Sequence, residues 1–291
     1  MGEIVGAGLL SHAPTIMFDK ATRLEINEGR EISLVPGLTR LRSEVLDRLR
    51  PDTIIIIDSH WFSTVEHLLA AHARRKGIFT SSELPRGMAQ IQYDFPGDPE
   101  LAKLAAALGD ELGTPTHASE DDHLPVYYAT LNLLHYLHQD EKVVSVSVVQ
   151  TGETDDFMTM GEAIAEAVAR LDRRAVVLAS GGMSHTFWPL KQIAKHEASD
   201  PVHIITPEAR AADEERLEWM KAGDHARVVD TMDSYFEHSP EGAFGHYLMM
   251  LGAIGGRRCT APGELFSEYE NATGTGQVHV WFDRPEDGWT A

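Results

Sequence analysis

Four short apolar runs, each bounded by polar or turn residues, punctuate the chain: Ile4–Leu10, Thr53–Asp58, Lys142–Val149 and Ala175–Ser180. Near-continuous apolar runs of this length, rich in β-branched residues, predict strands buried on both faces. Between them the period changes. Leu38–Leu49 places Leu38, Leu41, Val45, Leu46 and Leu49 at helical spacing, and Pro99–Leu112 puts Leu101, Leu104, Ala105 and Leu108 on one face. Ala129–His138 and Gly161–Leu171 continue the helical series. Such alternation predicts an α/β fold: a single compact domain over residues 1–291, with a mainly parallel central sheet covered by helices on both faces.

The last third has a different texture. Pro207–Lys221 reads as a charged helix and Ala243–Ile254 as an apolar one that stops at Gly255-Gly256. An irregular stretch from Glu264 leads through Gly274-Thr275-Gly276 into an alternating strand, Gln277–Phe282. The Gly-Thr-Gly turn precedes a strand rather than opening a helix, so it is not a nucleotide cradle. Phe79–Pro99 carries Pro85, Gly87, Pro96, Gly97 and Pro99 and is expected to be a long turn-rich connection, the kind that forms lids and rims. No repeat, low-complexity tract or Pro/Ser linker divides the chain.

Charge and composition narrow the chemistry. The 45 acidic residues against 25 basic ones give a formal charge of −20, a field that repels phosphate backbones and anionic lipid. Nucleic-acid and membrane partners are therefore not expected. The N-terminal stretch lacks a basic n-region and no apolar run approaches the ~20 residues of a membrane span, so a cytoplasmic protein is expected. A single cysteine, Cys259, excludes internal disulfides and multi-thiolate metal sites. With fifteen histidines present, a metal would be held by imidazole and carboxylate.

Three histidines occupy equivalent places. His12 follows the first apolar run, His60 the second and His185 the fourth. A lone histidine after a strand is usually a packing or capping residue. Three just past the carboxyl ends of parallel strands converge on the crevice where open α/β sheets hold ligands. Two imidazoles and one carboxylate form the facial triad of non-haem Fe(II) chemistry. Glu241, ahead of the Ala243–Ile254 helix, is one carboxylate candidate, although a helix start favours an acid in any case. Pattern alone does not separate it from Asp58 or Asp122. Zinc also accepts two histidines and a glutamate, but the histidines follow separate strands and no His-Glu-X-X-His helix is present.

Taken together, Ser11-His12-Ala13-Pro14, Asp58-Ser59-His60-Trp61, Ala179-Ser180-Gly181-Gly182-Met183-Ser184-His185, Glu241-Gly242 and Gly274-Thr275-Gly276-Gln277 resemble the class III extradiol ring-cleavage dioxygenases. Within that class the likeness is nearest to the 3,4-dihydroxyphenylacetate (homoprotocatechuate) 2,3-dioxygenases, and it runs from about Ala7 to Phe282. The resemblance implies that His12, His60 and Glu241 ligate Fe(II) and that His185 is the acid/base residue over a catechol substrate cleaved by O2. It implies, too, a second active-site histidine, for which His123 in Asp122-His123 is the match, although Leu124-Pro125 follows where relatives carry glycine. Tyr128, five residues on, is the alternative. Trp61 and Trp188 flank two of these histidines and are expected to wall the pocket. His246, in the Ala243–Ile254 helix, is expected to be a packing residue, with an approach to the site as the alternative, and the remaining histidines to be ordinary surface or packing residues.

A catechol with a short polar side chain is the implied substrate. Arg74, Arg75, Arg86 and the Thr80-Ser81-Ser82 run are candidates to meet a substrate carboxylate at a locally basic pocket mouth. Other rings (2-aminophenol, gallate, protocatechuate, a dihydroxyphenylpropionate) use the same metal chemistry. Memo-type binding proteins of similar fold are the non-enzymatic alternative. A homo-oligomer is expected.

Overall fold

In chain order the strands are β1 (Glu3–Leu10), β2 (Thr53–Ser63), β3 (His67–Ala70), β4 (Arg74–Phe79), β5 (Ile91–Pro96), β6 (Thr116–Ser119), β7 (Lys142–Val149), β8 (Arg174–Ser180), β9 (Gly263–Leu265), β10 (Glu270–Ala272), β11 (Thr275–Gln277) and β12 (His279–Asp283). The structure, a computed structural model, describes residues 2–290. Eight strands form one sheet in the order β6-β3-β7-β2-β8-β1-β12-β9, with β10–β11 and β4–β5 as separate two-stranded pairs. The central four, β7, β2, β8 and β1, are mutually parallel, so their carboxyl ends share one edge. Antiparallel pairing enters only toward the flanks, through β3 on one side and β12 and β9 on the other.

The isoleucine run of β2 explains why the sheet is covered twice. Ile55 and Ile57 pack with Val144, Val146 and Val177 against the Thr154–Arg170 and Gly245–Ala253 helices. Ile54 and Ile56 point the other way, with Val143, Val176 and Leu178, onto the helical stretch around Leu38, Leu41 and Val45 and the Tyr128–Leu137 helix. All four isoleucines are buried, and each such side chain contributes about 2 kcal/mol. Among the described residues no helix is long and apolar enough to cross a membrane.

Several elements differ from the sequence expectation. β2 does not end at Asp58 but continues to Ser63, and its register with β7 jumps from Asp58↔Ser147 to Phe62↔Val148. Ser59, His60 and Trp61 thus form a three-residue bulge inside the strand. Asp58 holds it: one carboxylate oxygen accepts from the backbone N–H of His60 (2.9 Å) and Trp61 (3.0 Å), the other from Thr130. The Phe79–Pro99 connection is instead half of a hairpin, β4–β5, with a loop over 80–90. The strand at Gln277–Phe282 breaks at Val278, because β11 pairs with β10 whereas β12 pairs with β1. The helix expected from Ala243 begins at Gly245, since Gly242, Ala243 and Phe244 all take left-handed φ near +55°.

Candidate metal centre

His12 leaves the end of β1, and Asn132 clamps its backbone carbonyl at 2.8 Å from the Tyr128–Leu137 helix. Its ring orientation is fixed by a short chain of hydrogen bonds. Ser180 Oγ, at the end of β8, donates to the Ala129 carbonyl (2.7 Å) and therefore accepts from His12 Nδ1–H (3.1 Å). The proton on Nδ1 leaves the Nε2 lone pair free, and Nε2 lies 3.3 Å from Glu241 Oε1. The bulge in β2 swings His60 to the same point, with Nε2 3.5 Å from Glu241 Oε1.

Glu241 and His185 arrive on two segments stitched together. Glu241 N–H donates to the Met183 carbonyl (2.9 Å), and His185 N–H donates to that of Ser239 (3.0 Å). The left-handed turn at Gly242–Phe244 then carries the chain away from the site. Glu241 is buried, and its carboxylate accepts from Ser59 Oγ and from the Gly182 N–H. Among the described residues, three imidazoles and no Lys or Arg lie within ion-pair reach of it. Burial pushes this carboxyl upward, but His185 and His12 outweigh it and hold the group well below its usual range. A buried carboxylate faced by imidazoles and by no Lys or Arg among the described residues fits a metal counter-ion.

The other polar groups have distinct states. Burial keeps the His185 imidazole below its ordinary pKa despite Glu241, whose Oε2 is 3.7 Å from His185 Nε2. Burial also acts on His60, but Glu83, with Oε1 3.6 Å from His60 Nδ1, and Glu241 raise it overall. Tyr128 Oη lies 2.6 Å from His60 Nε2, and burial, then Glu83 and Glu241, drive its pKa well up, so the phenol stays protonated. His246, fully buried with a pKa pushed down to about 4, supports the Gly182 carbonyl at 3.1 Å.

One ligand atom each from His12, His60 and Glu241 lies within 4.8 Å of the others, the donor set of a facial two-histidine, one-carboxylate site. The cluster opens into a cavity of about 410 Å³ that His185 and Tyr128 also line, together with Phe18, Leu84, Phe187 and Ile193.

The structure does not bring the other predicted residues there. His123 is exposed: Asp121 takes its backbone N–H, while His72 and Arg75 pin the loop through the Asp121 and Leu124 carbonyls. Trp61 is buried against Tyr127 and lines a separate, nearly closed void, and Trp188 stacks on His196 and donates to the His203 carbonyl. Asp58 is consumed by the bulge, and Asp122 is exposed. The arginines do not reach the cavity either: Arg74 pairs with Asp94 and Arg75 with the His72 ring, while Arg86 is exposed. Conversely, Glu83, Phe187 and the supporting hydroxyls of Ser59 and Ser180 were not singled out from the sequence. The two serines act on partners 182 and 168 residues away, which no local pattern signals.

A fold with ligands at the carboxyl edge of a parallel sheet, and two histidines with one glutamate beside a third histidine, defines a class. Residues 6–283 match the family model described as the catalytic LigB subunit of aromatic ring-opening dioxygenase, and the chain belongs to that family. It is an extradiol ring-cleaving dioxygenase of class III. It is 28% identical to the 3,4-dihydroxyphenylacetate 2,3-dioxygenase of Escherichia coli over 263 residues, covering 88% of this chain and 91% of that one. The 2-aminophenol 1,6-dioxygenase beta subunit of a Pseudomonas species is 24% identical over 294 residues, covering 96% and 93%. In fold it is similar to the crystal structure of the uncharacterized protein JW3007 from Escherichia coli K12, with a TM-score of 0.62 and 18% identity over 96% of this chain and 99% of that one.

Proposed function

We propose that the protein uses Fe(II), held by His12, His60 and Glu241, to open a catechol ring on the extradiol side with O2, giving a semialdehyde that retains both oxygen atoms. The convergence of those three side chains at the floor of a cavity walled by His185 and Tyr128 carries this reading. Bound Fe(II) would supply adjacent positions for both catechol oxygens and O2, and a spin-permitted route for electrons from ring to oxygen.

The chain's own groups handle protons and orientation. His185, kept neutral by burial, is the base: Nε2 faces the cluster, takes a catechol proton and returns it as the ring opens. Tyr128 remains a phenol and so keeps an O–H to donate. Its present acceptor, the His60 Nε2 lone pair, is the one ligation uses, which frees the hydroxyl for a substrate oxygen. Ser180 and Ser59 fix the His12 tautomer and the Glu241 carboxylate. The apolar wall of Phe18, Leu84, Phe187 and Ile193 packs the ring and thins the water around it.

The cavity is of a size that small-molecule sites adopt, ~300–1,000 Å³. The names of the two relatives put forward 3,4-dihydroxyphenylacetate and, as the second reading, 2-aminophenol. The test is a panel of catechols and 2-aminophenol with Fe(II)-loaded protein in air, followed by O2 uptake and by the yellow ring-fission product. Stoichiometric zinc after anaerobic purification, or bound iron with no O2 uptake on any ring, refutes the reading. A homo-oligomer remains part of the proposal, and light scattering of the purified protein tests it.

A further inference from the structure

Beyond the metal cluster, the charged groups lining the cavity are carboxylates. Glu83 and Glu197 both line it, and among the described lining residues there is no Lys or Arg. Glu83 has one approach to His60, whereas Glu197 has no ion-pair partner among the described residues. Two hydroxyls of the wall next to Glu197, away from the Tyr128 phenol, add to this bias. Thr273 Oγ1 and Thr275 Oγ1 each donate to the Ala272 carbonyl at 2.8 Å, and Thr275 Oγ1 also accepts from Gln277 Nε2 (2.8 Å), so neither has a proton to offer and Thr273 presents lone pairs. Of the cations in neighbouring segments, Arg23 is tied to Glu31 (2.7 Å), Arg75 to His72 and the Leu124 carbonyl, and Arg74 and Lys76 to Asp94, while Arg86, Lys191 and Lys195 are exposed and outside the lining. With a formal charge of −20, the rest of the molecule does not reverse that sign.

A carboxylate-bearing substrate would leave water and meet acceptors and like charge, which costs it a counter-donor at the moment it is desolvated. An ammonium or a neutral hydrogen-bond donor meets what this wall offers. We propose that the ring opened here carries a cationic or neutral donor substituent, with Glu197 as the residue that reads it, rather than the carboxylate of a phenylacetate. The proposal rests on the dioxygenase reading above and refines its substrate class.

Three 4-substituted catechols matched in length test it: 2-aminoethyl, 2-hydroxyethyl and carboxymethyl. With Fe(II)-loaded protein, kcat/KM is expected to be at least tenfold higher for the aminoethyl and hydroxyethyl compounds than for the carboxymethyl one. Glu197→Gln is expected to shrink the aminoethyl-to-carboxymethyl ratio severalfold. A preference for the carboxymethyl compound, or a ratio that Glu197→Gln leaves unchanged, overturns the proposal. Should that variant not fold, raising ionic strength on the native enzyme must narrow the same ratio, and a ratio indifferent to salt counts equally against it. Binding of the three catechols to the metal-loaded protein without O2 is measured separately. Absence of ring opening then overturns the dioxygenase reading, while the order of the Kd values still decides the substituent.

Discussion

Replacing Ser180 with alanine isolates the control of one tautomer. The hydroxyl accepts from His12 Nδ1–H at 3.1 Å and hands its own proton to the Ala129 carbonyl at 2.7 Å, all without exposure to solvent. Without it, His12 either buries an unpaired N–H, at about 1–3 kcal/mol, or moves the proton to Nε2, where it blocks the lone pair that ligates. Loss of such an outer partner typically weakens metal affinity ~10–100-fold, which is ~1.4–2.7 kcal/mol and agrees with the cost of the unpaired donor. The assay is anaerobic titration with Fe(II), or Co(II) as a coloured substitute, alongside urea denaturation of the metal-free protein. Ser147→Ala is the control, since that buried serine bonds Leu68 N–H and Ser63 away from the cluster. It is expected to lose comparable stability with unchanged metal affinity. A Ser180→Ala protein that binds metal like its parent, or no more weakly than Ser147→Ala, refutes the tautomer argument.

Further outcomes follow from other contacts. His185→Ala is expected to bind Fe(II) like the parent yet lose ~100-fold or more in turnover, and loss of metal instead would make His185 a ligand. At Gly182 an added Cβ would sit 2.7 Å from Gln277 Nε2, 2.8 Å from the Gly276 carbonyl oxygen and 3.1 Å from Glu241 Oε2, so Gly182→Ala is expected to lower both iron content and stability. Iron content equal to the parent's would show that the carboxylate tolerates the push. His279 is fully buried, its Nδ1 accepting from Ser11 N–H and its Nε2 donating to the Leu34 carbonyl, and burial lowers its pKa to about 4. A histidine whose folded pKa is depressed stabilises the fold above its unfolded value near 6.5 and loses that contribution as pH falls toward 4, about 3 kcal/mol when complete. Urea midpoints measured from pH 7.5 down to 5 should fall accordingly, and more gently in His279→Gln; equal slopes would place the acid sensitivity elsewhere.

The parts legible in the sequence were those with local periodicity. The runs at Ile4, Thr53, Lys142 and Ala175 are apolar because both faces of β1, β2, β7 and β8 are covered, and that pattern survives in one dimension. β4 escaped notice because Arg74 and Lys76 are exposed, and its one inward polar residue, Arg75, is satisfied by His72 and the Leu124 carbonyl. β3 and β6, four residues each, are too short to show a period. The histidines at 12, 60 and 185 stood out by position. By contrast, Glu241 could not be told from Asp58 on pattern, because what separates them is tertiary: one carboxylate faces three imidazoles, and the other is filled by N–H and O–H donors. His123 was misplaced by a two-residue motif whose loop is steered by His72 and Arg75, side chains some fifty positions earlier.

The bulge in β2 gives the chemistry residues that sheet pairing does not use. Ser59, His60 and Trp61 are surplus to the ladder with β7, and deleting them would let the strand zip in register from Asp58 to Phe62. Such a shortened chain would lose its metal cluster, since His60 and the Ser59 hydroxyl on Glu241 leave together, along with the buried Trp61. The strand thus carries three residues that the ladder with β7 does not need and the metal cluster does.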